Sequence, residues 1–143
     1  RISAAAGGLR DLHFMLQREV VERMVAAPST PEYGRLSVML QARFRMARLF
    51  GVAAGAFRPP PRVESAVVRL EPLAEPLDRG LPAFAGLVRR AFSARRKNLR
   101  NALGLPEARL RALGLEPKLR PENLAPGDYA RVAAGLRDEE ARG

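Results

Sequence analysis

Leu9 to Ala27 reads L-R-D-L-H-F-M-L-Q-R-E-V-V-E-R-M-V-A-A, and two periodicities meet inside it without a break. Leu9 to Gln17 contains a short apolar run of strand length, which predicts a buried strand. From Glu19 to Ala27 the spacing turns helical, with Val20, Val21, Met24 and Val25 on one face and an acidic first turn that suits the helix dipole. Pro28 stops this helix, because the residue before a proline is pushed out of the helical region. A strand that runs directly into a helix predicts an α/β arrangement, with α+β as the alternative.

Outward from that stretch, Pro28 to Gly34 is a loop by its Pro, Ser, Thr and Gly content. Leu36 to Phe44 is expected to be helical, and Met46 to Ala53 fits neither period. Val63 to Leu70 (V-E-S-A-V-V-R-L) is a valine-rich strand candidate. Glu71 to Gly80 carries two prolines, a glycine and charges, and reads as a boundary. Beyond it the pattern is helical. Phe84, Leu87, Val88, Ala91 and Phe92 share one face. Glu107 to Leu113 ends at Gly114, Leu115 to Gly127 is a proline-bearing loop, and Asp128 to Leu136 is a last helix.

The chain has 143 residues and no cysteine, so disulfides and thiolate metal sites are excluded. Its one histidine, His13, excludes imidazole metal clusters and Ser-His-Asp triads, and no metal is expected. No apolar run approaches the roughly 20 residues that span a bilayer, and the first residues lack a signal-peptide pattern, so no membrane partner is expected. The chain begins with Arg1 rather than methionine and is expected to be a piece of a longer one. The net charge is +10, and its excess is confined to residues 1–100; residues 101–143 hold 7 basic and 7 acidic side chains. Such a localised excess suits a polyanion. A compositional origin is the competing reading, since only Lys97 and Lys118 are lysines and Arg and Ala are abundant.

Residues 89–100, R-R-A-F-S-A-R-R-K-N-L-R, concentrate six cations: Arg89, Arg90, Arg95, Arg96, Lys97 and Arg100. An unbroken helix would drive Arg95 into the apolar face and bury an unpaired charge. The expected solution is a break at Ser93, capping a second helix that runs to Leu103 with Leu99 and Leu103 inward. Arg95, Arg96 and Lys97 then oppose the dipole of that helix's first turn, a conflict an anion would relieve. The alternative is a surface patch, or ion pairs with the acidic tail Asp138-Glu139-Glu140.

Phe57-Arg58-Pro59-Pro60-Pro61-Arg62-Val63-Glu64-Ser65 is a stiff, extended ledge by its three prolines. Phe57 at its edge, flanked by Arg58 and Arg62, could stack a base taken out of its helix. It could equally plug the core.

These segments, with Y-G-R-L-S-V at Tyr33 to Val38 and A-F-S-A-R-R-K-N-L-R-N-A-L at Ala91 to Leu103, together resemble the ribosomal RNA adenine dimethyltransferases, most closely the bacterial small-subunit branch. They occur in the family's order and cover nearly all of the chain. Relatives that act on large-subunit RNA share the F-x-P-x-P-x-V-x-S element but match A-F-x-x-R-R-K less well. The resemblance implies the carboxy-terminal, α/β portion of a Rossmann-like methyltransferase domain followed by a small all-α domain. It divides the chain into 1–72 (late strands and helices), 73–80 (linker) and 81–143 (helical rRNA-binding domain). It implies S-adenosyl-L-methionine as methyl donor and N6,N6-dimethylation of two adjacent adenosines near the 3′ end of small-subunit rRNA. Its partners would be that rRNA and the immature small ribosomal subunit, in the cytoplasm.

By carry-over, Phe57 is the aromatic that stacks the target adenine. Arg95, Arg96 and Lys97 fall in the rRNA-contacting domain, with Arg58, Arg62, Arg89, Arg90 and Arg100 as further RNA-binding candidates, and Tyr33 and Gly34 match a loop at the active-site mouth. The family's glycine-rich cofactor loop and its Asn-Leu-Pro-Tyr motif are expected upstream of Arg1. Gly7-Gly8 and Gly51 to Gly55 are the nearest candidates, and neither follows a strand in the required setting. The isolated chain is therefore expected to bind no cofactor and to be inactive alone. A non-catalytic ribosome-assembly module is the competing function.

Overall fold

The structure is a computed structural model that describes residues 10–59 and 62–142. β1 (Leu12–Gln17) passes directly into α1 (Arg18–Val25), as the two adjoining periods predict. α2 (Arg35–Gln41) and β2 (Phe44–Val52) follow, then a short 3-10 turn at Ala54–Ala56 and β3 (Ser65–Pro72). β3 lies between the other two and is antiparallel to both. β1 and β2 therefore run the same way, joined by the helical crossover α1–α2, which is the α/β arrangement. The predicted helix at Leu36 to Phe44 stops early, and Phe44 becomes the first residue of β2, buried against the sheet.

Met46 to Ala53 was illegible because a bulge interrupts it. Leu49 is the extra residue between Arg48, opposite Val68, and Phe50, opposite Val67. One inserted residue moves every later side chain to the other face, so no single period fits the segment.

α1 covers one face of the sheet. Val21 and Met24 pack on Phe44, Ala66, Val68 and Leu70, with Leu12, Phe14 and Leu16 at the margin. The expected burial of β1 is met only in part: Leu12, Phe14 and Leu16 are half-buried on that face and no side chain of the strand is fully buried. Its other side chains point away, Met15 is 51% exposed, and Met15, Val67 and Phe50 lie in register across the opposite face.

The second cluster is helical. α3 (Phe84–Ser93) buries Phe84, Leu87, Val88 and Ala91, the face read from the sequence. Around it lie α4 (Leu99–Leu103), α5 (Glu107–Ala112) and α6 (Pro126–Arg142), with a 3-10 turn at Pro121–Asn123. α6 begins and ends beyond the expected Asp128 to Leu136. This cluster also takes in Ala26, Tyr33, Val38 and Ala42 from the first half of the chain. The segment after β3 is tied down rather than free: Leu73 and Leu77 donate backbone hydrogen bonds to the carbonyls of Arg43 and Ala42 at 2.9 and 2.8 Å. Arg43 and Asp78 close it with an ion pair at 3.0 Å.

Two expectations for the basic segment are corrected. Ser93 is the last residue of α3, and its hydroxyl donates to the Arg90 carbonyl at 2.8 Å. The cap of α4 is Asn98, whose side chain accepts from the Asn101 N–H at 3.1 Å. Arg95, Arg96 and Lys97 thus sit in the turn between two helices. They do not form the first turn of α4, and no phosphate-binding helix start is built from them.

Candidate nucleic-acid interface

Gln17 pairs with Ser65, and Val52 pairs with the same serine, so the segment between β2 and β3 opens at the end of the sheet where β1 becomes α1. This segment carries the ledge. Phe57 follows the 3-10 turn, donates its N–H to the Ala54 carbonyl at 3.2 Å, and is half-buried. It belongs to neither hydrophobic cluster. Arg58 and Arg62 are exposed, the Arg58–Pro59 peptide is cis, and Pro60 and Pro61 lie outside the described residues.

Beside the ledge is a cleft of about 450 Å³ lined by Gln17, Arg18, Glu19, Glu22, Arg62 and Glu64. Arg18 binds it together: its guanidinium reaches Glu64 at 3.0 Å and Glu22 at 3.4 Å, and its N–H donates to the Glu64 carbonyl at 2.9 Å. Gln17 and the three carboxylates offer hydrogen-bond acceptors, and Arg18 and Arg62 offer donors. The cleft can therefore take a polar, flat group with both kinds of edge.

The basic cluster is exposed at Arg89, Arg90, Arg95, Arg96, Lys97 and Arg100. Arg100 approaches Glu107 at 4.0 Å. The guanidinium of Arg90 lies over Gly104, where an added Cβ would come within 2.5 Å of its Nη2. The ion-pair alternative involving the tail does not form among the described residues: Asp138 pairs with Arg137, and Glu139 with Arg109. Arg95, Arg96 and Lys97 have no carboxylate partner there.

The Tyr33 side chain does not face solvent. It is fully buried in the helical cluster, donates its hydroxyl to the Leu124 carbonyl at 2.6 Å and meets Phe92 edge-on at 6.1 Å. Burial, with Asp128 adding to it, pushes its hydroxyl well above the ordinary tyrosine range. Tyr129 is pushed up in the same way, by burial first and then by Tyr33 and Asp128. The Tyr33 backbone and Gly34 do line a second cleft, of about 410 Å³, together with Arg23, Glu32, Arg35 and Arg95. Arg23 and Arg35 escaped the sequence reading because nothing local marks them; one ends an amphipathic helix and the other begins the next.

The residues described do not fit S-adenosylmethionine. β1 enters α1 through Gln17 with no glycine, Gly51 lies within β2 beneath the Arg48 guanidinium, and Gly55 sits in the 3-10 turn. Gly7 and Gly8 lie outside the described residues. Nor does any group of three or more His, Cys, Asp and Glu side chains among those residues form a metal site. No helix described is long and apolar enough to cross a membrane.

The family model of ribosomal RNA adenine dimethylase matches residues 2–138. The chain is 54% identical over 137 residues to the ribosomal RNA small subunit methyltransferase A of Chromobacterium violaceum, covering 93% of this chain and 52% of that protein. It is 54% identical over 133 residues to the protein of that name from Thiobacillus denitrificans, covering 90% and 52%. Among solved structures it resembles a dimethyladenosine transferase from Plasmodium falciparum, with a TM-score of 0.81 at 23% identity over 92% of this chain and 58% of the other. It also resembles the 23S rRNA methyltransferase ErmE, with a TM-score of 0.63 at 22% identity over 90% and 55%. Those two likenesses show a shared fold. The chain spans about half the length of the curated relatives it matches, and it belongs to the ribosomal RNA adenine dimethylase family.

Proposed function

We propose that this chain is the RNA-facing, carboxy-terminal part of an S-adenosylmethionine-dependent enzyme that dimethylates N6 of two adjacent adenosines near the 3′ end of small-subunit rRNA. The match of the family model over residues 2–138 carries the reading. In it, Phe57 stacks the target adenine and Arg58 and Arg62 flank it. Arg89, Arg90, Arg95, Arg96, Lys97 and Arg100 hold the RNA backbone, with residues 81–143 as the RNA-binding part, 73–80 as the connection and 1–72 as the late part of the methyltransferase domain. Gly34 and the Tyr33 backbone border the approach. The immature small subunit, in the cytoplasm, is the proposed partner. An exocyclic amine is a poor nucleophile, so its orientation is a large share of the catalysis, and a stacked ring supplies one plane of it.

The experiment is methyl transfer to immature small subunits by the full-length protein. Phe57→Ala should lower it strongly, and undiminished transfer would remove Phe57 from the site. The absence of a glycine-rich turn among the described residues favours a second reading for this stretch by itself: an RNA-binding module without chemistry. Calorimetry of the isolated chain with S-adenosylmethionine tests it, and we expect no measurable heat of binding.

A further inference from the structure

Arg23, Arg35 and Arg95 line one cleft, although they come from three separate parts of the chain. Arg23 is on α1, whose Val21 and Met24 belong to the sheet cluster. Arg35 opens α2, whose Val38 belongs to the helical cluster, and Arg95 is in the turn after α3. The frame is fixed by a fully buried serine. The Ser37 hydroxyl donates to the Arg23 carbonyl at 2.5 Å and accepts from the Gly34 N–H at 3.1 Å, so the segments bearing Arg23 and Arg35 are held together. On the other side, Arg95 Nη2 donates to the Tyr33 carbonyl at 3.4 Å.

Among the described residues none of the three guanidiniums has a carboxylate partner, and Glu32 is the single acid in the wall. Cations gathered around one concavity repel each other unless an anion enters, and the planar guanidinium fork matches two phosphate oxygens. Resting on the reading that this chain contacts RNA, we infer that the cleft holds a phosphodiester of the RNA backbone between Arg23, Arg35 and Arg95. The bound phosphate bridges the sheet cluster and the helical cluster. α1 also lines the cleft beside the ledge, and Arg18 and Arg23 stand about 7.5 Å apart along its axis. One RNA strand can thus be gripped near the carboxy-terminal end of α1 while it presents a base towards Phe57.

The test is fluorescence anisotropy of the chain with a labelled RNA hairpin carrying unpaired adenosines, across a salt series. R23Q/R35Q should weaken binding about tenfold at low salt and lower the slope of log affinity against log salt by about 1, while the charge-matched R79Q/R142Q should stay within about twofold of the wild type. Wild-type affinity in R23Q/R35Q, with a loss in R95A/R96A/K97A, overturns the cleft and leaves the RNA reading standing. An equal loss in R79Q/R142Q assigns the effect to bulk charge and also overturns the cleft. No salt-dependent binding by the wild type overturns the RNA reading and the cleft together. Should R23Q/R35Q fail to fold, R35Q alone, at an exposed position, should lose about threefold; wild-type affinity in R35Q then overturns the proposal.

Discussion

Phe57 and Tyr33 exchange the roles that chemistry alone would give them. The aromatic beside three prolines stays out of both hydrophobic clusters, and the tyrosine in a polar loop enters one. Replacing Phe57 with alanine should therefore cost little stability, shifting the melting temperature by less than about 3 °C, whereas a core phenylalanine loses ~3–5 kcal/mol. The same change should weaken binding to adenine-bearing single-stranded RNA by about 1–3 kcal/mol, the usual worth of one stacked base. A large melting shift with unchanged RNA affinity would return Phe57 to a core role. Tyr33→Phe does the opposite: it strands the Leu124 carbonyl at a cost of about 1–3 kcal/mol, read in a urea titration.

The two buried tyrosines also set an alkaline limit. Both are raised in the folded state, burial being the main cause. Their contribution is thus fully present below the unfolded tyrosine pKa of about 10 and is lost as pH rises above it, by up to about 1.4 kcal/mol per pH unit for each. Tyr33→Phe combined with Tyr129→Phe should flatten that loss in denaturation curves recorded above pH 10.

At the scale of elements, the turn between α3 and α4 is the instructive one. Both Ser93 and Asn98 have the chemistry of a cap, and the choice falls on Asn98 because the Leu99 N–H reaches the Leu119 carbonyl at 2.8 Å. That long-range bond fixes where α4 begins, five residues later than the local pattern suggests. At the other end of α4, Gly104 adopts φ +66° with the Arg90 guanidinium above it. Gly104→Ala forces a Cβ into both constraints and should destabilise by about 1–2 kcal/mol, some 3–8 °C in melting temperature. A change under about 1 °C would show that Arg90 simply swings away and that the left-handed turn costs nothing here.

Across the whole molecule, the acids divide the cations into two populations. Among the described residues Arg18, Arg43, Arg69, Arg100, Arg109, Arg111, Arg131 and Arg137 are held in ion pairs, and the tail's Asp138 and Glu139 pair with Arg137 and Arg109. Arg95, Arg96 and Lys97 have no carboxylate partner there, as the proposed RNA contact requires. Each phosphate contact contributes about 0.7–0.9 to the salt slope, so R95A/R96A/K97A should lower the slope of RNA binding by about 2. An unchanged slope would place the RNA elsewhere.

By itself the sequence determined the strand-to-helix junction at Gln17, the apolar face of α3, the helix end at Gly114 and the family, through motifs that are contiguous in the chain. These depend on neighbours within one or two turns, and local periodicity records them. Tertiary structure alone decided the bulge at Leu49, the cap at Asn98, the burial of Tyr33 and the convergence of Arg23, Arg35 and Arg95. Each depends on partners far along the chain: Tyr33 bonds 91 residues away and Arg95 bonds 62 residues away. The passage of β1 directly into α1 is thus the part the sequence states outright. The two clefts that α1 lines exist only once distant segments are folded against it.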